Sequence, residues 1–226
     1  MPAWIVFELV PTKLPHYPLP VYPALCLIGA RWAVDWHAGR RGVPRWLERV
    51  GYGLALDAVL LLALAAIGVP ELLDASLWLG VPGAAAAVLA AWLLWRRGVA
   101  AALVAMPLLY GAVLGLELPH LEAIWISQRA AEAAVGSGVL GSIGYAEPSL
   151  RFLAGTDTKF LSGGAVEAGA LALASGEVSR LLVDEKDLAA FHAEAAHLGL
   201  DVRDIVMIRG YNYSRGRWTT LTLFTR

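Results

Sequence analysis

The sequence predicts a membrane protein with four transmembrane helices, followed by a small extracytoplasmic α/β domain with a mixed sheet. The 226-residue chain is 58% hydrophobic and only 16% charged, whereas a soluble domain carries about 25% charged residues. Its long apolar runs precede Glu117, and its charges concentrate after it. We therefore expect an extracytoplasmic loop over residues 1–17, a transmembrane region over 18–117 and a water-soluble domain over 118–226.

Four apolar runs predict the membrane spans. A helix needs about 20 residues to cross the hydrocarbon core, and the third and fourth runs are long enough. The second is long enough as a span of about Tyr52 to Val69 that includes Asp57. The first needs extension to Ala38, with Arg31 reaching the surface or pairing with Asp35. The uncharged runs are Leu14–Ala30, Ala58–Pro70, Ala75–Trp95 and Gly98–Leu116.

The arginines between these runs predict the orientation. The turns after the first and third runs are rich in arginine, whereas the other side carries Lys13 and no Lys or Arg between Val69 and Ser76. Positively charged loops stay in the cytoplasm, so both termini are expected outside it. Tryptophans near the span ends are typical of interfacial belts. The arginines are Arg40, Arg41, Arg45, Arg49, Arg96 and Arg97, and the tryptophans are Trp32, Trp36, Trp46, Trp78, Trp92 and Trp95.

Two further residues within these runs need interpretation. Asp57 is a functional candidate, as intramembrane carboxylates are, but its position within two turns of the cytoplasmic surface favours a hydrated or arginine-paired group. Cys26 is the single cysteine, so an intrachain disulfide is excluded.

The net charge of −1 gives no case for nucleic-acid binding.

Beyond Leu121 the pattern changes to short alternating elements that end in an antiparallel hairpin around Ser214-Arg215-Gly216. About 100 residues of this pattern indicate a small α/β domain that can bury its own core. The predicted helices are Glu122–Val135, Glu147–Ala154, Gly164–Ala174 and Asp187–Leu198. The predicted strands are Val139–Gly144, Lys159–Leu161, Arg180–Asp184, Val202–Tyr213 and Trp218–Thr225.

Three local motifs in this half do not carry the function that their letters suggest. Gly136–Gly141 fits a dinucleotide-binding pattern but follows a helix instead of a strand, which favours a glycine-rich helix stop. Asn212-Tyr-Ser214 matches a glycosylation sequon in a predicted hairpin, as three residues often do by chance. His192 and His197 are five apart, a spacing that does not align two zinc ligands on one helix face.

The segment from Glu8 to Pro23, ELVPTKLPHYPLPVYP, places a lysine on a proline-stiffened backbone directly before an apolar run. Proline fixes φ and moves the preceding residue out of the α region, so Lys13 to Pro23 should be mostly extended. A rigid cationic strip at a membrane surface suits a lipid phosphate. Judged by position alone, however, Lys13 fits better an interfacial lysine that anchors a helix.

The stretch FELVPTKLPHYPLPVYPAL resembles the extracytoplasmic loop and following span of bacterial membrane glycosyltransferases of the GT-C superfamily (family 39/83 type). These enzymes are related to protein mannosyltransferases and to the lipid A aminoarabinose transferase. The later segment Gly144–Asp157, GYAEPSLRFLAGTD, resembles the start of the extracytoplasmic C-terminal domain in some members. The first resemblance rests on a K-L-P-x-Y-x-L-P-x-x-P-type motif, matched by Lys13, Leu14, Pro15, Tyr17, Leu19, Pro20 and Pro23.

The resemblance implies an enzyme of the bacterial inner (plasma) membrane that serves the cell envelope through lipid A or protein glycosylation. It would transfer a sugar from a polyprenyl-phosphate donor to a lipid, protein or glycan acceptor outside the cytoplasm. Lys13 would contact the donor phosphate, with Tyr17, His16 and Glu8 lining the site. The implied partners are the polyprenyl-phosphate-linked sugar and membrane lipids, without nucleic acid. No cofactor is implied, and the sugar, the acceptor and any need for a divalent metal stay open.

The family's catalytic aspartate lies in an early loop that has no counterpart in this sequence. The catalytic residues are therefore unassigned, and Glu8 is proposed as a substitute base only by its proximity to Lys13. We expect a fragment or one part of a split enzyme, inactive alone, with the missing N-terminal membrane portion as a further partner.

A function of another class is open as well: a non-catalytic membrane anchor whose extracytoplasmic domain binds a partner protein or a glycan. An exposed hairpin strand Trp218–Thr225 and the aromatic pair Tyr211 and Tyr213 could form its binding surface. A transporter subunit is less favoured, because no internal repeat is visible and Asp57 lies near the end of its span.

Overall fold

The computed structural model describes residues 22–40, 42–136, 138–161 and 165–226. The chain is mostly helical and ends in a mixed five-stranded sheet, as predicted. It divides into two compact units whose boundary falls between Asp57 and Ala58, within a long helix. This boundary differs from the three segments expected from composition, which follow solvent preference and not contacts.

Four helices cover the apolar part: α1 (Tyr22–His37), α2 (Arg45–Leu72), α3 (Val81–Arg97) and α4 (Val99–His120). Among the described residues, only α2 and α4 are long and apolar enough to cross a membrane. The prediction of four full spans is therefore supported in part, because α1 and α3 have 16 and 17 residues. A turn at Leu77–Leu79 shortens α3, since it takes up apolar residues that the sequence assigned to the span.

In the first unit, α1 carries polar and aromatic contacts along one face. Asp35 accepts a hydrogen bond from Arg40 at 3.2 Å, and the rings of Trp32 and Trp36 stack with their centroids 5.7 Å apart. Asp57, in α2, is exposed. Neither of its two interpretations is decided by this position.

In the second unit, small residues bring α2, α3 and α4 together. Glycine and alanine let helix backbones approach closely, which is the usual way that membrane helices pack. A Cβ added at Gly80 would overlap the carbonyl oxygen of Ala66, and one at Gly83 would lie 3.2 Å from both the Ala66 Cβ and Val113 Cγ2. The buried residues of α3 are Gly83, Ala86, Ala87, Ala90, Ala91 and Leu94, and they face Ala102, Ala105, Leu109 and Ala112 of the α4 segment.

The outward faces of the same helices are also apolar. Large exposed apolar surfaces on a protein mark contact with lipid or with another protein. The exposed side chains include Leu60, Leu61, Leu64, Leu72, Val88, Trp92, Trp95, Leu103, Val104, Leu108, Leu114 and Leu116.

The C-terminal domain is an α/β structure with a mixed sheet in the order β2-β1-β3-β5-β4. Strand β1 is parallel to β2 and β3, whereas β5 is antiparallel to β3 and β4. The strands are β1 (Leu140–Ile143), β2 (Lys159–Leu161), β3 (Arg180–Asp184), β4 (Arg203–Asn212) and β5 (Arg217–Thr225), and the helices are α5 (Ile126–Ala133), α6 (Pro148–Ala154), α7 (Ala165–Ser175) and α8 (Glu185–His197).

Helices cover both faces of this sheet. Successive residues of a strand point to opposite faces, so Leu182 joins one core while Leu181 and Val183 join the other. The first core contains Ile126, Ala130, Leu150, Leu221 and Leu223. The second contains Ala170, Leu173, Phe191 and Phe224.

One prediction about this domain is confirmed only in part, and another is wrong. The helix expected over Glu122–Val135 is present as α5, preceded by a single turn at Glu122–Ile124. Trp125, between the two, donates its ring N–H to the Leu118 carbonyl at 2.9 Å. The strand over Trp218–Thr225 is not exposed, since β5 lies between β3 and β4 and is largely buried. Of the two hairpin strands, β4 is the one at an edge of the sheet among the described residues.

Gly80→Ala should destabilise the helical part by about 1–3 kcal/mol, because the added methyl group overpacks a close backbone contact. Gly68→Ala on the facing helix is the matched control, since a Cβ there meets no atom within 4 Å and should be neutral or slightly stabilising. The free energy of unfolding in detergent would measure both, and equal stability of the two variants would contradict the packing described.

Candidate functional site

The predicted donor-phosphate site, Glu8, Lys13, His16 and Tyr17, lies outside the described residues. A different polar cleft occurs where the α2–α3 turn meets the C-terminal domain. It has a volume of about 330 Å³. It is lined by Leu73, Asp74, Ala75, Ser76, Leu79, His120, Glu122, Ala123, Arg129, Arg209 and Trp218, and we call it the junction cleft.

Arg209 is the central side chain of the junction cleft. Its Nη1 donates to Asp74 Oδ2 at 2.9 Å, and its guanidinium lies 4.4 Å from the centroid of the Trp218 ring. Arg209 reaches the Trp218 ring because Trp218 pairs with Tyr211. Tyr211 lies two residues after Arg209 in β4, so both side chains point to the same face of the hairpin. The ion pair joins the turn after α2 to the sheet, and its side chains are 62% and 60% exposed. Such exposed ion pairs contribute about 0–1 kcal/mol to the free energy of unfolding.

A close backbone contact, and not the ion pair, fixes the position of β4 in this cleft. A Cβ added at Gly210 would lie 2.8 Å from the Ala123 carbonyl oxygen and 2.9 Å from the Ile126 Cβ. Next to this contact, Arg129 Nη1 donates to the Arg209 carbonyl oxygen at 2.9 Å. This bond uses one of the five N–H donors of the Arg129 guanidinium.

The chemistry of the junction cleft is that of a binding site. Guanidinium groups bind phosphate or carboxylate oxygens, and the Trp218 face offers a flat apolar surface. Asp74, Glu122 and His120 add acceptors that suit hydroxyl groups. Within the described ranges, no group of three or more His, Cys, Asp or Glu residues could hold a metal ion.

The second motif, Gly144–Asp157, follows β1 and forms a partly buried polar network with two other elements. The Tyr145 hydroxyl and Ser127 Oγ are 2.6 Å apart, and Ser127 Oγ is 2.8 Å from Ser149 Oγ. Glu147 Oε1 accepts from Asn212 Nδ2 at 3.0 Å and from Ser214 Oγ at 2.6 Å. The network ties the loop after β1 to α5 and to the β4–β5 turn.

The same network perturbs the Tyr145 side chain, which is 3% exposed. Burial raises the pKa of Tyr145 to about 12, the hydrogen bond with Ser127 opposes this rise, and the negative charge of Glu147 adds to it. The neutral phenol is therefore the form that the fold favours.

The structure gives the positions of the three motifs that the sequence analysis set aside. Asn212 is buried and bonded to Glu147, which rules it out as an exposed glycosylation acceptor in this fold. Of the described residues in the Gly136–Gly141 motif, Gly136 follows α5, and Leu140 and Gly141 belong to β1. His192 and His197 are both exposed on α8.

The sequence interpretation missed Asp74, Arg129, Arg209 and Glu117. Two signals were present: Arg209 interrupts the apolar pattern of IVMIRGY, and Glu117 ends a long uncharged run. Asp74 has a φ of 56°, a left-handed conformation that aspartate tolerates better than most residues. No local sequence pattern indicated that these side chains lie near residues far along the chain.

Comparison with protein-family models, with curated proteins and with solved structures gives no match for this chain.

A double-mutant cycle of Asp74→Asn and Arg209→Gln should give a coupling free energy of about 0.2–1 kcal/mol that shrinks in high salt. Chemical denaturation in detergent would measure it. The exposed pair Lys159 and Glu177, which lies within the C-terminal domain alone, is the control. Zero coupling at low salt would show that the turn and the sheet are not joined by this pair.

Alkaline titration should reveal Tyr145. Its folded-state pKa is higher than the unfolded value of about 10, so its stability contribution is complete below pH 10 and is lost as the pH rises through about 12. Tyr145→Phe should flatten this decline and lower stability at neutral pH by about 1 kcal/mol through the lost hydrogen bond. Tyr213→Phe, at an exposed position, is the control. An unchanged slope in Tyr145→Phe would refute this assignment.

Proposed function

We propose that this chain is the C-terminal part of an integral membrane glycosyltransferase of the bacterial inner membrane. The enzyme moves a sugar from a polyprenyl-phosphate donor to a lipid, protein or glycan acceptor outside the cytoplasm. The observation that carries the proposal is the motif from Lys13 to Pro23, whose last two residues begin the first apolar helix. In this proposal α1 to α4 all cross the membrane, and both termini are extracytoplasmic.

The apolar outer surface of the helices supports the membrane part of the proposal. The apolar 18-residue stretches of α2 and α4 are only 11% and 22% buried within the protein. A soluble core helix would be mostly buried, whereas a lipid-facing helix exposes its leucines and valines. Small residues pack the helices against each other, as in other membrane bundles.

The ion pair of Asp74 with Arg209 supports the proposed topology. The chain passes through α3 and α4, two antiparallel helices, between the turn that holds Asp74 and the start of the C-terminal domain. Two crossings return the chain to the side from which it started. The arginine-rich turns assign the opposite side to the cytoplasm. Arg129 and Arg209 would then lie on the side to which the same rule assigns Lys13.

The proposed chemistry uses Lys13 to stabilise the leaving group. An acceptor hydroxyl oxygen forms a bond to the anomeric carbon of the sugar, and the bond from that carbon to the phosphate oxygen breaks. Negative charge develops on the polyprenyl phosphate, and the Lys13 ammonium offsets it. The hydroxyl proton passes to a carboxylate base that the family resemblance places outside this sequence. Tyr17, His16 and Glu8 would line the phosphate site.

The edge of the sheet favours a second function, that of a non-catalytic membrane anchor that binds a partner. Within the described part of the chain, β4 pairs only with β5 and exposes an apolar patch of Ile205, Val206 and Met207. An exposed apolar edge strand can add a strand from another chain. The predicted surface on Trp218–Thr225 is excluded by burial, and Tyr213 stays exposed.

Lys13→Ala should lower sugar transfer by about 10²–10³-fold, because one stabilising charge at the leaving group is lost. The assay uses membranes from cells whose only gene copy carries the change, with polyprenyl-phosphate mannose and polyprenyl-phosphate aminoarabinose as labelled donors. Lys159→Ala, an exposed lysine in the C-terminal domain, should leave transfer unchanged.

Lys13→Arg should retain part of the activity, since the charge is kept while its geometry changes. Transfer that is the same in Lys13→Ala as in the unmodified protein would refute the enzymatic proposal. Loss of a co-purified protein partner in Val206→Lys, with no transfer detected in any variant, would instead favour the anchor function.

A further inference from the structure

A second cavity lies between α2 and α4, within the helical part. Its volume is about 300 Å³, at the lower end of the about 300–1,000 Å³ that ligand pockets occupy. Its lining is almost entirely aliphatic. Leu62, Val69, Tyr110 and Leu114 line it and are themselves exposed, so the cavity opens onto the apolar outer surface of the helices.

Glu117 is the single carboxyl side chain that lines this cavity, whose lining includes no Lys, Arg or His. The residue is 4% exposed, and its Oε2 has no hydrogen-bond partner among the described residues. It ends the segment Gly111–Glu117, which is π-helical within α4. Such segments are rare and frequently occur at functional sites. An unpaired buried carboxyl oxygen costs free energy that a ligand can recover.

Three helices shape the surroundings of this carboxyl group. A Cβ added at Gly83 of α3 would lie 3.5 Å from Glu117 Oε2 and 3.2 Å from the Ala66 Cβ of α2. Gly83 therefore leaves space for the Glu117 carboxyl group, and the Glu117 side chain borders the cavity. Within the described ranges, no Lys, Arg or His forms an ion pair with Glu117. The group is held in place without a cation to compensate it.

We propose that this cavity binds an aliphatic or isoprenoid chain that carries one hydroxyl group, and that the hydroxyl donates a hydrogen bond to the Glu117 carboxyl group. A purely apolar ligand would leave the Oε2 unpaired. A phosphate or carboxylate head group would bring only acceptors to an acceptor. An ammonium group would require the burial of a strongly hydrated charge in an apolar cavity. A hydroxyl supplies the missing donor at the lowest desolvation cost.

The orientation of the cavity favours a ligand taken from the bilayer. Its opening lies on the outward apolar face of α2 and α4, the face that lipid would cover. Glu117 lies one turn before His120, which borders the junction cleft. The site is therefore near the end of α4 that carries the C-terminal domain. This inference depends on the helices facing lipid and not on sugar transfer.

The experiment uses the full chain in lipid nanodiscs with two probes, a diazirine-bearing dodecanol and its methyl ether. The alcohol should bind about tenfold more tightly than the ether, because only the alcohol can donate a hydrogen bond. Photolabelling should modify residues of the cavity wall such as Leu62 and Leu114. Glu117→Leu should bind both probes equally, whereas Glu117→Gln, which keeps a carbonyl acceptor, should retain a preference for the alcohol.

Glu71→Gln is the matched control, since it removes an exposed carboxylate near the end of α2 that lines neither cavity, and it should leave the preference unchanged. Ala65→Phe places a ring in the cavity and should weaken the binding of both probes. If Glu117→Leu does not fold, the comparison of the two probes on the unmodified chain and on Ala65→Phe decides the question. Equal binding of alcohol and ether to the unmodified chain, or labelling outside the cavity, would overturn the proposal.

Discussion

The close approach of α2 and α3 at Ala66, Gly80 and Gly83 is the constraint on which the second unit depends. No side chain larger than hydrogen fits at Gly80, so the turn between the helices is held against α2. The same contact aligns the alanine stripe of α3 with α4, and it places Glu117 beside Gly83. In lipid, where apolar side chains gain nothing by leaving the solvent, such backbone proximity is a main source of helix association.

The two candidate sites follow from this arrangement by different physics. The junction cleft is polar and exposed, and its ion pair is weak, so β4 is positioned by the Gly210–Ala123 contact and the arginines can adjust to a head group. The Glu117 cavity is largely apolar and opens onto the outer surface of the helices, and its buried carboxyl oxygen has a strong requirement for a partner. The first site suits a charged or hydroxylated group, and the second suits an aliphatic chain with one polar group.

Much of the C-terminal domain could be predicted, because its strands follow local patterns. Lys159–Leu161 and Arg180–Asp184 were predicted with the bounds that they have. The failures are nonlocal. The alanine-rich pattern of 122–135 predicts one helix, but the bond from Trp125 to Leu118 turns the chain there. The alternation in Trp218–Thr225 suits an edge or an interior strand equally, and only the pairing with Arg180–Asp184 makes it interior.

The sequence by itself determined where apolar residues concentrate along the chain and which short segments alternate as strands. These properties depend on neighbouring residues and on side-chain solubility. Tertiary structure alone decided that Arg209 meets Asp74, 135 positions away. It also decided that Glu117 is enclosed without a partner among the described residues, although it follows an apolar run like any terminal charge. Burial and pairing depend on which parts of the backbone, distant along the chain, come close in space. A local sequence pattern does not specify which parts those are.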